Sequence, residues 1–340
     1  MNPNQAAGYI FEKTVMNLLE DSGYVGVKKK VLKGRGAYHQ IDAYGILSFP
    51  TPFTYPIRLI AEAKCYKTAI ELHHIRDFLG VIKDISENYI VGDNRHRNTP
   101  DRYLDTGCYF SASPFSRPAQ DYAWAQNIFL VSFFGIEKMN AIVELIRQFT
   151  SGNENQIRSL SQKVILGKYH QWVIQKGYLD KYPSILLGII DNTYPVVLVG
   201  NKNWHERINV TKESDFIGTT DNKRISKRNE TVFNLNITTS VGNVEPVSFN
   251  LSDQIAEKII SRMEREKSNK AIFVLDIPLE SSKKNPNSIR RLLRINVILD
   301  DNEKIKYLLR LKKRKGRIAQ LHDKHPRSRS STISPPSSMH

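Results

Sequence analysis

Three strand-like segments follow one amphipathic helix near the N-terminus, and only short breaks separate them. The helical spacing of apolar residues covers residues 4–21, and the strand patterns cover residues 24–33, 38–48 and 57–66. Breaks this short leave no room for a helical crossover between strands. The three strands are therefore predicted to lie side by side in antiparallel order.

The next stretch of the chain alternates between helix and strand. The predicted elements are a helix near residues 72–85, a strand at 106–112, a helix at 117–127, a strand at 128–134 and a helix at 136–149. A strand–helix–strand step of this kind predicts a parallel, right-handed crossover. Together with the antiparallel strands, it predicts an α/β fold in which helices cover a mixed sheet, in the order helix, three strands, helix, strand, helix, strand, helix.

The polar segment 151–156 is the predicted end of this first domain, which we place at residues 1–150. A second domain, of the α+β type, is expected over residues 155–312. Its predicted elements are a helix at 157–177, strands near 184–190, 195–199, 231–239, 244–250, 271–277, 292–299 and 304–312, a helix at 252–267, and a polar loop that ends near 230. Residues 313–340 are basic and rich in Ser and Pro, which is typical of a tail without a fold of its own.

The chain is strongly basic, and most of the excess charge lies near the C-terminus of the sequence. The formal net charge is +16, and residues 304–340 alone hold 11 basic side chains and 1 acidic side chain. Such a segment favours a polyanion as its partner, because neutralised phosphates release condensed counterions. A solvated tail without a partner is the alternative. The candidate DNA contacts in this segment are Lys312, Lys313, Arg314, Lys315 and Arg317.

Composition argues against several classes of protein. No stretch of about 18 apolar residues is present, so a membrane-spanning helix is not expected. The first residues lack the basic and apolar regions of a signal peptide. Two cysteines, Cys65 and Cys108, are too few for a disulfide scaffold or a Cys-rich zinc module, and they suit the reducing cytoplasm.

The third predicted strand carries two charged residues on one face. Side chains alternate along a strand, so Glu62 and Lys64 point the same way, about 7 Å apart. Antiparallel pairing with the preceding strand could bring Asp42 beside Glu62. Two carboxylates and an amine suit magnesium-assisted phosphodiester hydrolysis, since Mg²⁺ takes one or two carboxylates and lowers the pKa of a bound water. An ordinary ion pair across the sheet is the alternative interpretation.

The order of these motifs resembles that of the Mrr-like restriction endonuclease group in the PD-(D/E)XK nuclease superfamily. Asp42 followed by Glu62-Ala-Lys64 is similar to the D…(D/E)xK motif of the superfamily. The matching segments, in chain order, are Gly8-Tyr-Ile-Phe-Glu12, His39-Gln-Ile-Asp42-Ala, Ala61-Glu-Ala-Lys64-Cys-Tyr66, Ser111-Ala-Ser-Pro-Phe-Ser-Arg-Pro-Ala119, Tyr122-Ala123 and Ile128-Phe-Leu-Val131. The resemblance covers residues 8–134 and implies a restriction-endonuclease-like αβββαβ core.

The resemblance also implies roles for the residues of the matching motifs. Asp42 and Glu62 would bind the metal ion, with the backbone carbonyl of Ala63 as a third ligand. Lys64 would assist the nucleophilic water, and Glu12 would project from the first helix towards the metal site.

Three further residues are candidates for DNA contact. His39 and Gln40 flank the site, where they either touch phosphate or pair within the sheet. Arg35 lies in the turn 34–38, which departs from the Gly, Lys and Ser run of the group.

The leading hypothesis is a DNA endonuclease of the restriction type that depends on Mg²⁺, with Mn²⁺ as an alternative ion. It would cut double-stranded DNA in defence against foreign DNA, and a homodimer would let it cut both strands. Two alternatives remain open: a nucleic-acid-binding module that kept the fold and lost activity, and a nuclease for RNA or for repair and transposition intermediates. The role of residues 155–312 in DNA binding or target choice rests only on position and charge.

Overall fold

A mixed sheet of five strands organises the N-terminal part of the protein, in the order β1-β2-β3-β4-β5. The computed structural model describes residues 1–47, 55–89, 102–178, 183–191, 193–204, 216–225, 230–238, 244–252, 255, 258, 271–279 and 291–299. The strands of this sheet are β1 (Val25–Lys33), β2 (Tyr38–Leu47), β3 (Ile57–Lys64), β4 (Leu104–Ser111) and β5 (Ile128–Ser132). β1, β2 and β3 pair antiparallel, whereas β3, β4 and β5 pair parallel. This is the predicted mixed arrangement.

Helices cover both faces of the sheet, as the sequence predicted. The helices are α1 (Pro3–Asp21), α2 (Leu72–Ser86), α3 (Arg117–Ala125), α4 (Glu137–Gly152), α5 (Glu154–Ile157) and α6 (Gln162–Gln175), with a 3-10 turn at Glu87–Tyr89. Asn2 caps α1, because its side chain accepts the backbone N–H of Gln5 at 2.8 Å. The restriction-endonuclease-like α/β core predicted from the sequence is confirmed.

Strand β3 lies at the centre of the sheet and serves a different core on each face. Leu59, Ala61 and Ala63 are buried in one core together with α1 and α4. Ile60 is buried in the other core together with α2 and α3. This alternation is the one that the sequence predicted for the strand, and it leaves Glu62 and Lys64 at the carboxyl end of the second face.

The C-terminal part of the described chain is a closed barrel of seven strands. They are β6 (Ser184–Ile190), β7 (Tyr194–Gly200), β8 (Phe216–Ile225), β9 (Glu230–Thr238), β10 (Val244–Ser252), β11 (Ala271–Leu279) and β12 (Arg291–Leu299). Their order is β10-β7-β6-β11-β12-β8-β9, and the barrel closes because β9 also pairs with β10. The β8–β12 pair is parallel, and the other pairs are antiparallel.

Two predictions for this part of the chain were wrong. Strand β8 runs through residues predicted as polar loop, and it is held by β9 on one side and β12 on the other. The helix predicted at 157–177 begins only at Gln162, as α6, and the short helix α5 lies almost entirely in the segment 151–156 that was predicted as a polar linker. The strand predicted at 304–312, the basic tail and most of the helix predicted at 252–267 lie outside the described residues.

Residues on both sides of the predicted domain boundary share one core. Ile157, Ile165 and Tyr169 are buried in the same cluster as the inner faces of α1 and α4. The ring of Tyr169 packs edge-on against Phe149 of α4, with 5.4 Å between ring centroids. Helices α5 and α6 therefore pack on the nuclease-like part of the molecule, which consists of strands β1–β5 and helices α1–α4. The division into domains stays a prediction.

Candidate active site

The candidate site lies where strands β2 and β3 part. Their ladder ends at the Ala43–Ala61 pair, so Asp42 and Glu62 are the next residues beyond it. The backbone N–H of Ala63 donates to Asp42 Oδ2 at 3.1 Å. A side chain thus takes the place that a backbone carbonyl would occupy in a continued ladder, and this holds the Asp42 carboxylate against β3.

A bulge in β2 sets the direction of Asp42. Lys28 pairs with Tyr44 and Lys30 pairs with Ile41, so Asp42 and Ala43 together lie opposite the single residue Lys29. Bulges of this kind turn a side chain away from simple alternation and are frequent beside active sites. As a result Ile41 and Tyr44 are buried in one core and Ala43 in the other.

Lys64 joins the two predicted metal-binding acids. Its Nζ lies 3.2 Å from Asp42 Oδ2, and it also forms an ion pair with Glu62 Oε1. The structure therefore brings together Asp42, Glu62 and Lys64, which the sequence placed on neighbouring strands.

Glu12 approaches the same cluster from helix α1. Its Oε2 accepts a hydrogen bond from Lys29 Nζ at 2.9 Å, and that ammonium lies 3.9 Å from Asp42 Oδ1. Lys29 was not among the predicted site residues. It belongs to a run of three lysines, 28–30, and nothing in the run distinguishes the lysine that meets the acids.

Burial and like charge disfavour ionised carboxylates in this cluster. Burial raises the pKa of Glu62, and the nearby Asp42 charge raises it further against the opposing pull of Lys64. Burial likewise raises the pKa of Glu12, although the bond from Lys29 lowers it. Burial alone would lower the pKa of Lys64, but the charges of Glu62 and Asp42 outweigh it and raise that pKa. A bound cation would stabilise the ionised form of carboxylates clustered in this way.

The carboxylates fit a divalent ion that keeps several water ligands better than an ion whose ligands all come from the protein. Among the residues that the structure describes, no three His, Cys, Asp or Glu side chains stand close enough to form a ligand cluster. Mg²⁺ needs only one or two carboxylates, because it keeps several waters. Lys64 uses Asp42 Oδ2 and Glu62 Oε1, which leaves Asp42 Oδ1 and Glu62 Oε2 as the oxygens for an ion.

The predicted DNA contacts at the other end of β2 are held by helix α2. His39 Nε2 lies 2.6 Å from Asp84 Oδ2, and Asp84 Oδ1 accepts the backbone N–H of Gly36 at 2.7 Å. Arg35 pairs with Glu87 at 3.5 Å. These contacts tie the 34–37 turn to α2 and to the 3-10 turn that follows it, and His39 lies about 10 Å along the strand from Asp42. The pairing of His39 is thus with a helix carboxylate.

The remaining candidate contacts are exposed or undescribed. Gln40 is exposed and pairs in register with Val31 of β1. The basic residues Lys312, Lys313, Arg314, Lys315 and Arg317 lie outside the described part of the chain.

The two cysteines take no part in the cluster. Both thiols are free; Cys108 is buried and Cys65 is half-buried. Burial raises the pKa of Cys65 to about 11, and it raises that of Cys108 as well. Such thiols stay protonated near neutral pH and are poor nucleophiles.

Comparison with known proteins agrees with the geometry. Residues 4–139 match the model of the Mrr_cat family, described as restriction endonuclease. The predicted resemblance to the Mrr-like nucleases of the PD-(D/E)XK superfamily is thereby confirmed for the N-terminal part of the chain. The match indicates a nuclease, because the family is described as restriction endonuclease. Restriction endonucleases typically use a divalent metal and act on DNA.

Other comparisons add little. No curated protein matches the chain. One solved structure that resembles it is described as "Crystal Structure of Protein of Unknown Function AF1548", with 13% sequence identity and a TM-score of 0.30; the match covers 49% of this chain and 98% of that one. A likeness this slight carries no argument. None of the described helices is long and apolar enough to cross a membrane.

Proposed function

We propose that this chain, whose residues 4–139 match the restriction endonuclease family, is a Mg²⁺-dependent endonuclease that hydrolyses double-stranded DNA in the restriction of foreign DNA. The observation that carries the proposal is the meeting of Asp42, Glu62 and Lys64 where β2 and β3 part. A match to the family alone would be compatible with an inactive descendant. The complete set of side chains in one place supports an active enzyme.

The proposed mechanism assigns a separate task to each side chain. Asp42 and Glu62, with the carbonyl of Ala63, would hold the ion. A bound Mg²⁺ would polarise the phosphate and lower the pKa of its water. Lys64 stays charged, because its two acid partners raise its pKa. Its ammonium orients the attacking water and offsets the negative charge that develops on the phosphate.

The DNA would be retained by positive charge outside this cluster. The net charge of +16 and the basic segment 304–340 favour phosphate contacts over the whole chain. The candidates are the five basic residues between 312 and 317 together with Arg35, His39 and Gln40. A homodimer would place two such sites on one duplex and allow both strands to be cut.

The first test is plasmid cleavage by a variant that lacks the ammonium. Lys64→Ala is expected to slow Mg²⁺-dependent nicking by about 10²- to 10³-fold, the usual cost of one transition-state donor. Lys163→Ala removes an equal charge from the exposed surface of α6 and should nick at the wild-type rate. Equal nicking by the Lys64→Ala form would reject the assignment. DNA retention without cleavage, in Mg²⁺ and Mn²⁺ alike, would favour a binding module.

A further inference from the structure

Acids and lysines alternate through the candidate site. Lys29 lies 2.9 Å from Glu12 and 3.9 Å from Asp42, and Lys64 links Asp42 to Glu62. The charges therefore follow the order Glu12, Lys29, Asp42, Lys64, Glu62. Three carboxylates and two ammonium groups leave one net negative charge, which one divalent ion would reverse and two would turn strongly positive.

The two lysines stand in different relations to the acids. Lys64 takes one oxygen from each of Asp42 and Glu62 and leaves the other oxygen of each for an ion. Lys29 instead lies between Glu12 and Asp42 Oδ1, in the gap that a second ion bridged by Asp42 would occupy. Two-metal centres place their ions about 3.5–4 Å apart on shared oxygens. The Lys29 ammonium and a second ion therefore cannot both occupy this gap.

The position of Lys29 is set by three elements of the fold. Strand β1 carries Lys29, helix α1 carries Glu12, and the β2 bulge turns Asp42 towards β1. Glu12 and Asp42 expose only 14% and 9% of their side chains. A cation nearby lowers the cost of keeping acids this deep ionised, because desolvation disfavours their charge.

We propose that the Lys29 ammonium permanently occupies the second cation position, between Glu12 and Asp42, so that the site takes a single divalent ion. This inference rests on the proposed metal-dependent function. Lys29 is thus a positioning residue: it neutralises Glu12 and stands 3.9 Å from Asp42 Oδ1, so that this oxygen and Glu62 Oε2 receive one ion and no second.

The test counts Mn²⁺ ions bound per chain in the absence of DNA, by the loss of the free-Mn²⁺ electron paramagnetic resonance signal. We expect one ion in the wild type and two in Lys29→Met, because the vacated gap then lies between the Glu12 carboxylate and Asp42 Oδ1 with no ammonium between them. Lys29→Arg should return the count to one. Lys28→Met, an equal loss of charge on the preceding, exposed residue, should keep it at one.

A double variant shows whether the extra ion binds beside Glu12 or elsewhere on the protein. Lys29→Met combined with Glu12→Gln should bind one ion, since the second ion loses its carboxylate. Two ions in the wild type, one ion in a folded Lys29→Met, or two ions in the double variant would each overturn the inference. No ion in the wild type would overturn both this inference and the metal-dependent function, whereas one ion without DNA cleavage would overturn only the latter.

Discussion

Glu62 is the residue at which stability and function oppose each other. Burial and the Asp42 charge both raise its pKa, so its ionised form is less favourable in the folded protein than in the unfolded chain. Groups with a shifted pKa of this kind are common at functional sites. A substitution that removes the buried charge of Glu62 should therefore stabilise the protein while it removes a metal ligand.

We expect Glu62→Gln to stabilise the metal-free protein at pH 7 by about 1 kcal/mol, the size usual for a relieved functional site. The gain is present above the raised pKa of Glu62 and shrinks as the pH falls through it, because the wild-type side chain then takes up a proton. Urea unfolding at several pH values measures this. Glu20→Gln, at an exposed position of α1, should change stability by less than about 0.5 kcal/mol.

The opposite pH trend, or a Glu62→Gln variant less stable than the wild type at pH 7, would contradict this description of the site.

At the scale of elements, a buried ion pair fixes helix α2 to the sheet. Arg58 of β3 binds Asp105 of β4 through two bonds, at 2.5 Å and 2.7 Å, and Ser86 at the end of α2 donates to the same carboxylate at 3.0 Å. Both charged side chains are almost fully buried. The pair lies at the amino end of β3, so it helps hold the strand that carries Glu62 and Lys64.

Asp105→Ala should cost about 3–5 kcal/mol of unfolding free energy, because it leaves the buried Arg58 guanidinium without its carboxylate. Glu87→Ala breaks the exposed pair with Arg35 and should cost less than about 1 kcal/mol. Denaturant unfolding of both variants decides the matter. Equal costs would mean that the Arg58 pair does not anchor the helix.

The sequence predicts the first half of the fold well because its signals are local. Periodicity located α1 and the five strands of the mixed sheet to within a few residues, and the short breaks between the first three strands fixed their direction. Strand β8 was missed because Phe216–Ile225 carries Thr, Asp, Asn, Lys and Arg without an apolar alternation. Its neighbours β9 and β12 supply the pairing, and β12 lies far along the chain.

The same limit applies to the candidate site. Asp42, Glu62, Lys64 and Glu12 stand in recognisable motifs, so they could be named from the sequence. Lys29 could not, because its contact with the acids depends on a bulge in the partner strand. Alternation along β1 alone gives no reason to choose it over its two lysine neighbours.

At the scale of the whole molecule, one apolar core runs from the nuclease-like part into the barrel. Val197 and Val199 of β7 are buried in the same cluster as α1 and α4. The backbone N–H of Leu187 in β6 donates to Ser22 Oγ, just after α1, at 3.0 Å. The barrel is therefore attached to the helix that carries Glu12 by packing and hydrogen bonding, in addition to the chain connection.

The most direct test of the account is Mg²⁺-dependent plasmid cleavage by Asp42→Asn. Asparagine keeps an oxygen that can accept the Ala63 N–H, so the strands should stay in place while the charge that binds the ion is lost. We expect the cleavage rate to fall by more than about a hundredfold, since even the outer partners of metal ligands are worth 10- to 100-fold. Cleavage by Asp42→Asn at the wild-type rate would contradict the account.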